Sequence, residues 1–194
     1  MKPISALKNI HKQGLFGNYE IKKDNQLIKL SESKNLFICQ IVKYKSSNID
    51  EKKLLIEELC LPGQLKTTFN DETRILWMGP SNWLVVSKNL TLMKFIKNLF
   101  DDKEFAITDL SHSRTIIEIE GDLTDEIIKK GCPLNINNLG KGDCGNSTFH
   151  GITITIDFLS NNPKKVRLLA LRSFGESLYH SITDACLEYG YKVI

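Results

Sequence analysis

RILWMGPSNWLVVSKNLTLMKFIKNLFDDKEFAIT, residues 74–108, is the stretch from which the fold is read. Two apolar runs of strand length, ILWM (Ile75 to Met78) and WLVV (Trp83 to Val86), flank Gly79-Pro80-Ser81-Asn82. Those four residues have the composition of a turn, so the pair reads as a hairpin. Thr91 then stands where a helix cap belongs, ahead of Leu92, Phe95, Ile96, Leu99 and Phe100. The i, i+3, i+4, i+7, i+8 spacing of these five side chains predicts one buried stripe along a helix. A further strand begins at Phe105.

The same alternation extends in both directions. Upstream, Leu36 to Val42 (LFICQIV) is a dense apolar run of strand length, and Asn25 sits at a turn. Asp50 is expected to open a short helix with Leu55 and Leu59 on one face, closed by Pro62-Gly63. Residues 1–18, with Pro3, Gly14 and Gly17 and little periodicity, read as an extended N-terminal arm that needs a surface to lie on. Downstream, Phe105 to Leu110 and Arg114 to Glu120 are strands joined by a Ser111-His112-Ser113 corner. Asp122 is expected to cap a helix with Asp125 and Glu126 in its first turns and Lys129 and Lys130 in its last, which suits the helix dipole. Gly131 supplies a left-handed stop and Pro133 prevents continuation.

Asn135 to Asn146 is a polar, Gly-rich connection. Ile152, Ile154, Ile156 and Phe158 alternate with Thr153, Thr155 and Asp157, the pattern of a half-buried strand. Asn161-Asn162-Pro163 turns the chain into a strand over Val166 to Leu171. Ser173 and Glu176 have capping-box spacing for a last helix, with Leu178, Ile182, Ala185 and Tyr189 inward and Gly190 ending it. Short strand pairs punctuated by single helices predict an α+β fold with mixed or antiparallel sheets, helices on one face, and ferredoxin-like split βαβ halves. Beyond the arm, residues 19–194 read as a single domain.

Composition narrows the function classes. Lys and Arg total 26 against 23 Asp and Glu, a net charge of +3, with both signs interspersed. Nucleic-acid binding calls for a clustered basic face with stacking aromatics, and the short Lys22-Lys23 and Lys164-Lys165 pairs do not make one. Five cysteines without CxxC spacing, and an N-terminus MKPISALKN without an apolar core, point to a reducing compartment and a cytoplasmic protein. No apolar run reaches the 18 or so residues a membrane span needs.

Motifs of chemistry are sparse. There is no GxGxxG or GxxxxGK[ST]. LGKGDCGN (Leu139 to Asn146) is Gly-rich but precedes a strand rather than a helix, and reads as a plain loop. His11, His112, His150 and His180 stand far apart, so no metal-ligand spacing forms. Cys132 follows a helix C-terminus, the wrong dipole end for an activated thiolate. Ser111, His112 and Ser113 are neighbours on a corner with no third group. Asp109 and Arg114 flank that corner, and an Arg–carboxylate fork there suits either a partner interface or a hairpin-stabilising pair.

DLSHSRT (Asp109 to Thr115) and KGCPL (Lys130 to Leu134) resemble the most distinctive stretch of the gamma subunits of heterotetrameric sarcosine oxidase. LPG (Leu61 to Gly63), LWMGPSNWLVV (Leu76 to Val86) and PISAL (Pro3 to Leu7) fit the same pattern. The resemblance implies a fold like the folate-binding part of the glycine-cleavage T-protein (aminomethyltransferase) family. It implies a non-catalytic subunit, acting in assembly and stability beside alpha, beta and delta partners. The whole complex would be a flavin-dependent oxidoreductase that demethylates sarcosine to glycine and passes a one-carbon unit to tetrahydrofolate. FAD, FMN, NAD, tetrahydrofolate and zinc would sit on the other subunits and none on this chain. The small subunit of N-methylglutamate dehydrogenase is similar, and a stand-alone folate-binding T-protein-like module is the other reading. Asp109, His112 and Arg114 are the residues expected at the partner interface.

Overall fold

The computed structural model describes residues 4–20, 22–23 and 26–194. The turn expected at Asn25, and Pro3 of the arm, lie outside them. In chain order the elements are β1 (Gly14–Phe16), β2 (Ile28–Glu32), β3 (Phe37–Lys43), β4 (Leu55–Ile56), β5 (Leu59–Cys60), β6 (Thr67–Phe69) and β7 (Thr73–Gly79). They continue as β8 (Asn82–Ser87), α1 (Leu92–Leu99), β9 (Phe105–Asp109), β10 (Arg114–Glu120), α2 (Thr124–Gly131) and β11 (Cys144–Phe149). The last are β12 (Ile152–Asn161), β13 (Lys164–Leu171), α3 (Gly175–Cys186) and β14 (Tyr191–Val193).

Where the sequence reading has an arm and one domain, the chain gathers into two compact units. One comprises residues 1–34, 113–141 and 146–194; the other comprises 35–112 and 142–145. In the second unit, five strands run in the order β6-β7-β8-β3-β9. The hairpin β7–β8 forms as expected, closed by Pro80-Ser81 with Gly79 opposite Asn82. The chain then crosses through α1 to β9, leaving room for β3 between β8 and β9, which is a split βαβ arrangement. Leu92, Ile96 and Phe100 pack with Cys39, Ile41, Ile75, Trp83 and Val85 on one face of the sheet. Phe95, expected in that stripe, is 46% exposed. At 3.6 residues per turn it falls to the edge of an arc centred on Leu92, Ile96 and Phe100, and Met93 takes the flank instead.

The motif residues of this unit are tied to each other. Trp83 is buried and its indole N–H donates to the Pro62 carbonyl at 2.9 Å, so LPG and the hairpin hold one another. The helix expected after Asp50 is only a 3-10 turn, Glu51–Lys53, followed by the β4–β5 hairpin. Ile56 rather than Leu55 is the inward side chain. So short a helix gains little by itself, whereas the hairpin buries Ile56 and places Glu57 to accept from Thr73 Oγ1 and Asn89 Nδ2.

In the first unit the strand order is β1-β14-β2-β10-β13-β12-β11. Among the described strands, β14 and β2 are parallel and the other pairings are antiparallel. β10 and β12 bracket β13, with α2 and the edge strand β11 between them in the chain, a variant of the split βαβ arrangement. Ile117, Ile119, Ile154, Ile156, Phe158, Leu168 and Ala170 make one sheet face, against which Ile127 and Ile128 of α2 and Leu178, Ile182 and Ala185 of α3 pack. The α+β class with helices on one face is borne out, as is the alternation on β12. Its polar side is not solvated, however: Thr155 is 8% and Asp157 0% exposed. The N-terminal stretch is partly core, with Leu7 wholly buried and β1 paired to β14.

Helix ends differ most from the expectation. Thr91, Asp122 and Ser173 make no side-chain cap; Thr91, Leu123 and Phe174 occupy the cap positions. Asn89 accepts from the Thr91 N–H and hydroxyl, and Thr124 donates its hydroxyl to the Gly121 carbonyl, so tight turns do the capping work. Gly131 is not a left-handed stop, since it is the last residue of α2. Its missing Cβ is required because one would come within 2.8 Å of the His150 ring. Gly190 does end its helix left-handed, with φ 67°.

Glu57 and Glu58, the two turn residues of the β4–β5 hairpin, both have positive φ, 48° and 67°. That geometry suits glycine and costs another residue about 1–2 kcal/mol. Glu57 is held there by Thr73 and Asn89, while Glu58 is exposed. Glu58→Gly should therefore raise stability by about 1 kcal/mol in urea unfolding. Glu57→Gly should lower it, because the lost hydrogen bonds outweigh the relieved backbone.

Candidate functional site

The corner that joins β9 to β10 is where the chain leaves one compact unit, at His112, and enters the other, at Ser113. β9 belongs to the five-stranded sheet and β10 to the seven-stranded sheet, so the two do not form a hairpin and a hairpin-stabilising Asp109–Arg114 pair has no hairpin to stabilise. Asp109 and His112 stand in the second unit and Arg114 in the first.

The side chains of Asp109 and Ser111 are spent on the backbone. Asp109 Oδ1 accepts the Ser111 N–H at 2.9 Å. Ser111 Oγ accepts the Ile38 N–H at 3.0 Å and donates to the Ile38 carbonyl at 3.4 Å. That carbonyl also receives the Leu110 N–H at 2.8 Å. The Asp109 carboxyl is pushed up by burial, but hydrogen bonds from Ser111 and the charges of His112 and Lys97 outweigh it and leave it below its ordinary value. His112 is exposed. A hydroxyl engaged on both sides with Ile38 is no nucleophile, and the corner is a rigid strand end rather than a catalytic group. Arg114, half-buried at the start of β10 opposite Leu171, has its guanidinium pKa lowered by burial.

The strand after the corner carries the most perturbed carboxylate of the chain's first unit. Glu118, 7% exposed, accepts from Arg167 Nε and Nη2 at 3.0 and 2.8 Å and from the Ser33 hydroxyl at 2.5 Å. Lys165 Nζ lies 2.9 Å from its other oxygen and 3.4 Å from Glu120, which also pairs with Lys29 at 3.1 Å. Burial pushes the Glu118 carboxyl up, and Arg167, Ser33 and Lys165 together bring it down from 4.5 to about 2. The alternating pattern places Glu118 and Glu120 on the polar side of β10, but only register assigns them Arg167 and Lys165. A carboxylate held on both oxygens is a structural ion pair rather than a proton carrier.

KGCPL has structural work as well. Lys130 reaches from the end of α2 to the Ala185 carbonyl at 2.7 Å, pairs with Glu188 at 2.5 Å, and lies 4.4 Å from the Tyr189 ring centroid. A lysine against the closing carbonyls of α3 is where the helix dipole favours it. Cys132 is buried and its thiol donates to Ser147 Oγ at 3.3 Å.

LGKGDCGN, expected as a plain loop, is where the chain enters the second unit again at Gly142 and leaves it after Gly145. Gly142 accepts the Thr67 N–H, the Cys144 N–H donates to Leu65, and Asp143 pairs with Lys66 at 2.7 Å. Its backbone is engaged in strand-like pairing and makes no anion cradle. His180 and Asp184 line a surface hollow of about 320 Å³ with Thr183, Leu187 and Tyr191. One imidazole and one carboxylate fall short of the three or four donors a metal needs. Among the described residues no group of three or more His, Cys, Asp and Glu gathers, and no helix is long and apolar enough to cross a membrane.

In sequence, the chain is 25% identical over 118 residues to the sarcosine oxidase subunit gamma of Corynebacterium sp. (strain U-96). The match spans 60% of this chain and 58% of the length of that relative. In structure it is similar to a chain of the heterotetrameric sarcosine oxidase from Corynebacterium sp. U-96 in complex with pyrrole 2-carboxylate. The TM-score is 0.76 at 20% identity, over 86% of this chain and 87% of that one. It is also similar to the glycine cleavage system aminomethyltransferase T from Bartonella henselae, with a TM-score of 0.55 at 10% identity, over 81% of this chain and 46% of that one. No family model matches. The resemblance to sarcosine oxidase gamma subunits, and the T-protein-like fold it implies, are thus borne out.

The Glu118 carboxyl, held at about 2 against 4.5, contributes stability that is fully present above its unfolded pKa and is lost as pH falls through its folded one. Acid unfolding of the intact chain should therefore steepen between pH 4.5 and about 2. Glu118→Gln should be less stable at neutral pH and flatter across that window. An acid limb of unchanged slope in the variant would mean the ion pair is not what the pH dependence reports.

Proposed function

We propose that this chain is a gamma-type, non-catalytic subunit of a heteromeric sarcosine oxidase, present for assembly and stability of the complex. Such a complex oxidatively demethylates sarcosine to glycine, forming hydrogen peroxide and passing the one-carbon unit to tetrahydrofolate. The observation that carries the reading is the sequence likeness over 118 residues to a subunit named gamma. The likeness of fold to a chain of a heterotetrameric sarcosine oxidase accords with it. In this reading FAD, FMN, NAD, tetrahydrofolate and zinc are held by alpha-, beta- and delta-type partners.

The side-chain chemistry accords with a supporting role. Ser111 and Asp109 secure a strand end, Glu118 is an ion-pair partner and the Cys132 thiol is buried against Ser147. Each of these groups is committed to the fold, which leaves it poorly placed to bind and turn over a substrate.

The test is reconstitution. Purified alone, the chain should show no flavin absorbance and no sarcosine-dependent peroxide formation. Co-expressed with alpha-, beta- and delta-type subunits of a sarcosine oxidase, it should co-purify with them, and the complex should oxidise sarcosine. Sarcosine turnover by the isolated chain, or an active complex that never retains it, would sink the proposal.

A further inference from the structure

Arg114 opens β10, and among the described residues its guanidinium makes no hydrogen bond, ion pair or ring contact. The chain's other arginines are all engaged. Arg74 lies over the Phe69 ring at 4.6 Å, Arg167 is bonded to Glu118, and Arg172 donates to the Ile4 carbonyl. Arg114 is nonetheless half-buried, and burial lowers its pKa with no neighbouring carboxylate to offset it. A guanidinium keeps its charge at any ordinary pH, so a fork of five N–H donors is partly withdrawn from water and left unused. Such a group costs free energy until an acceptor reaches it.

Its place on the sheet leaves no internal acceptor. Side chains alternate along β10, so Arg114, Ile116 and Glu118 share a face, and the register with β13 sets Leu171, Leu169 and Arg167 opposite them. Ile116 and Leu169 are buried. The next carboxylate along that face of β10, Glu118, is about 13 Å away at strand spacing, and its oxygens are taken by Arg167 and Lys165. Directly across from Arg114, Leu171 is 46% exposed. Phe174, one 3-10 turn beyond Leu171, is 49% exposed, and the Arg172 N–H ties the start of that turn to the Ser113 carbonyl at 2.9 Å. Arginine with aromatic and aliphatic neighbours is the composition found at the buried centre of protein interfaces. A free phosphate would answer the charge but leave Leu171 and Phe174 in water. A carboxylate on a protein surface answers both, since it accepts two parallel N–H bonds from the fork while its apolar neighbours cover the leucine and phenylalanine.

We propose that Arg114, with Leu171 across from it and Phe174 one turn on, seats an acidic side chain of a partner subunit, bonded through both arms of the guanidinium and flanked by apolar residues. The proposal rests on the subunit reading given above and names its contact chemistry.

Arg114→Met keeps the stem and removes the charge. In the isolated chain it should leave the urea unfolding midpoint unchanged or raise it, because the guanidinium supports nothing in the fold. In the complex co-expressed with alpha-, beta- and delta-type subunits it should weaken retention of this chain by about thirtyfold or more. Phe174→Ser should weaken retention as well. Arg114→Lys, which keeps the charge without the fork, should fall between, and full retention by it would overturn the two-bond geometry. A lowered midpoint for Arg114→Met would show the guanidinium partnered within the fold and would overturn the proposal. Undiminished retention of Arg114→Met overturns the contact and leaves the subunit reading standing. Failure of the unaltered chain to join any complex overturns the subunit reading and this proposal with it. Saturable binding of inorganic phosphate by the isolated chain, or its dimerisation, if abolished by Arg114→Met, overturns the choice of occupant in favour of a free anion or a second copy.

Discussion

The ion pair between Glu118 and Arg167 constrains the seven-stranded sheet more than any other single contact. The two residues stand directly opposite one another on β10 and β13, with Ser31 of β2 opposite Glu118 on its other side. Because side chains alternate between faces, slipping either pairing by one residue would carry a buried charge into the apolar face shared with α2 and α3. Leaving one member unpaired costs about 3–5 kcal/mol, so the register of the central strands is tied to this pair. Ile117, Ile119, Leu168 and Ala170, which build the core on the other face, depend on the same register. Lys165 and Ser33 complete the carboxylate's shell, which makes the arrangement a satisfied network rather than an isolated buried charge.

The same economy appears at the corner between the sheets. A serine, a histidine, an aspartate and an arginine within six residues have the makings of an active site. The hydrogen bonds of Asp109 and Ser111 instead run to Ile38 and to the turn itself. What DLS accomplishes is a firm end to β9 just before the chain crosses from one compact unit to the other. Lys130 in KGCPL acts similarly on the last turn of α3. Both motifs are recognisable in sequence because their geometry is demanding.

Trp83 and the Pro62 carbonyl make the corresponding tie in the five-stranded sheet. A buried indole N–H needs an acceptor, and the LPG segment supplies one while burying Leu61 in the same core. The polar cluster of Glu57, Thr73, Ser87 and Asn89 closes the other end, where Glu57, the first of two consecutive positive-φ residues, is held by side-chain bonds instead of by glycine.

β3, β7 to β10, β12, β13, the three α-helices and their one-sided cores were written in local patterns, and there the sequence alone was enough. Period-two alternation on β12, the WLVV run of β8 and the stripe of Leu92, Ile96 and Phe100 each answer to the requirement that one face be apolar. The family resemblance was legible for the same reason, since DLSHSRT and KGCPL are short and contiguous. What the sequence could not determine were the contacts between distant segments. Asp122 looks like a cap until Gly121 and Thr124 close the turn, and Gly131 looks like a helix stop until His150 is brought against it. Phe95 reads as core until the arc used by Leu92, Ile96 and Phe100 excludes it. The partners of Glu118 depend on which strands lie next to which, and strand order is set by long-range packing that no local periodicity encodes.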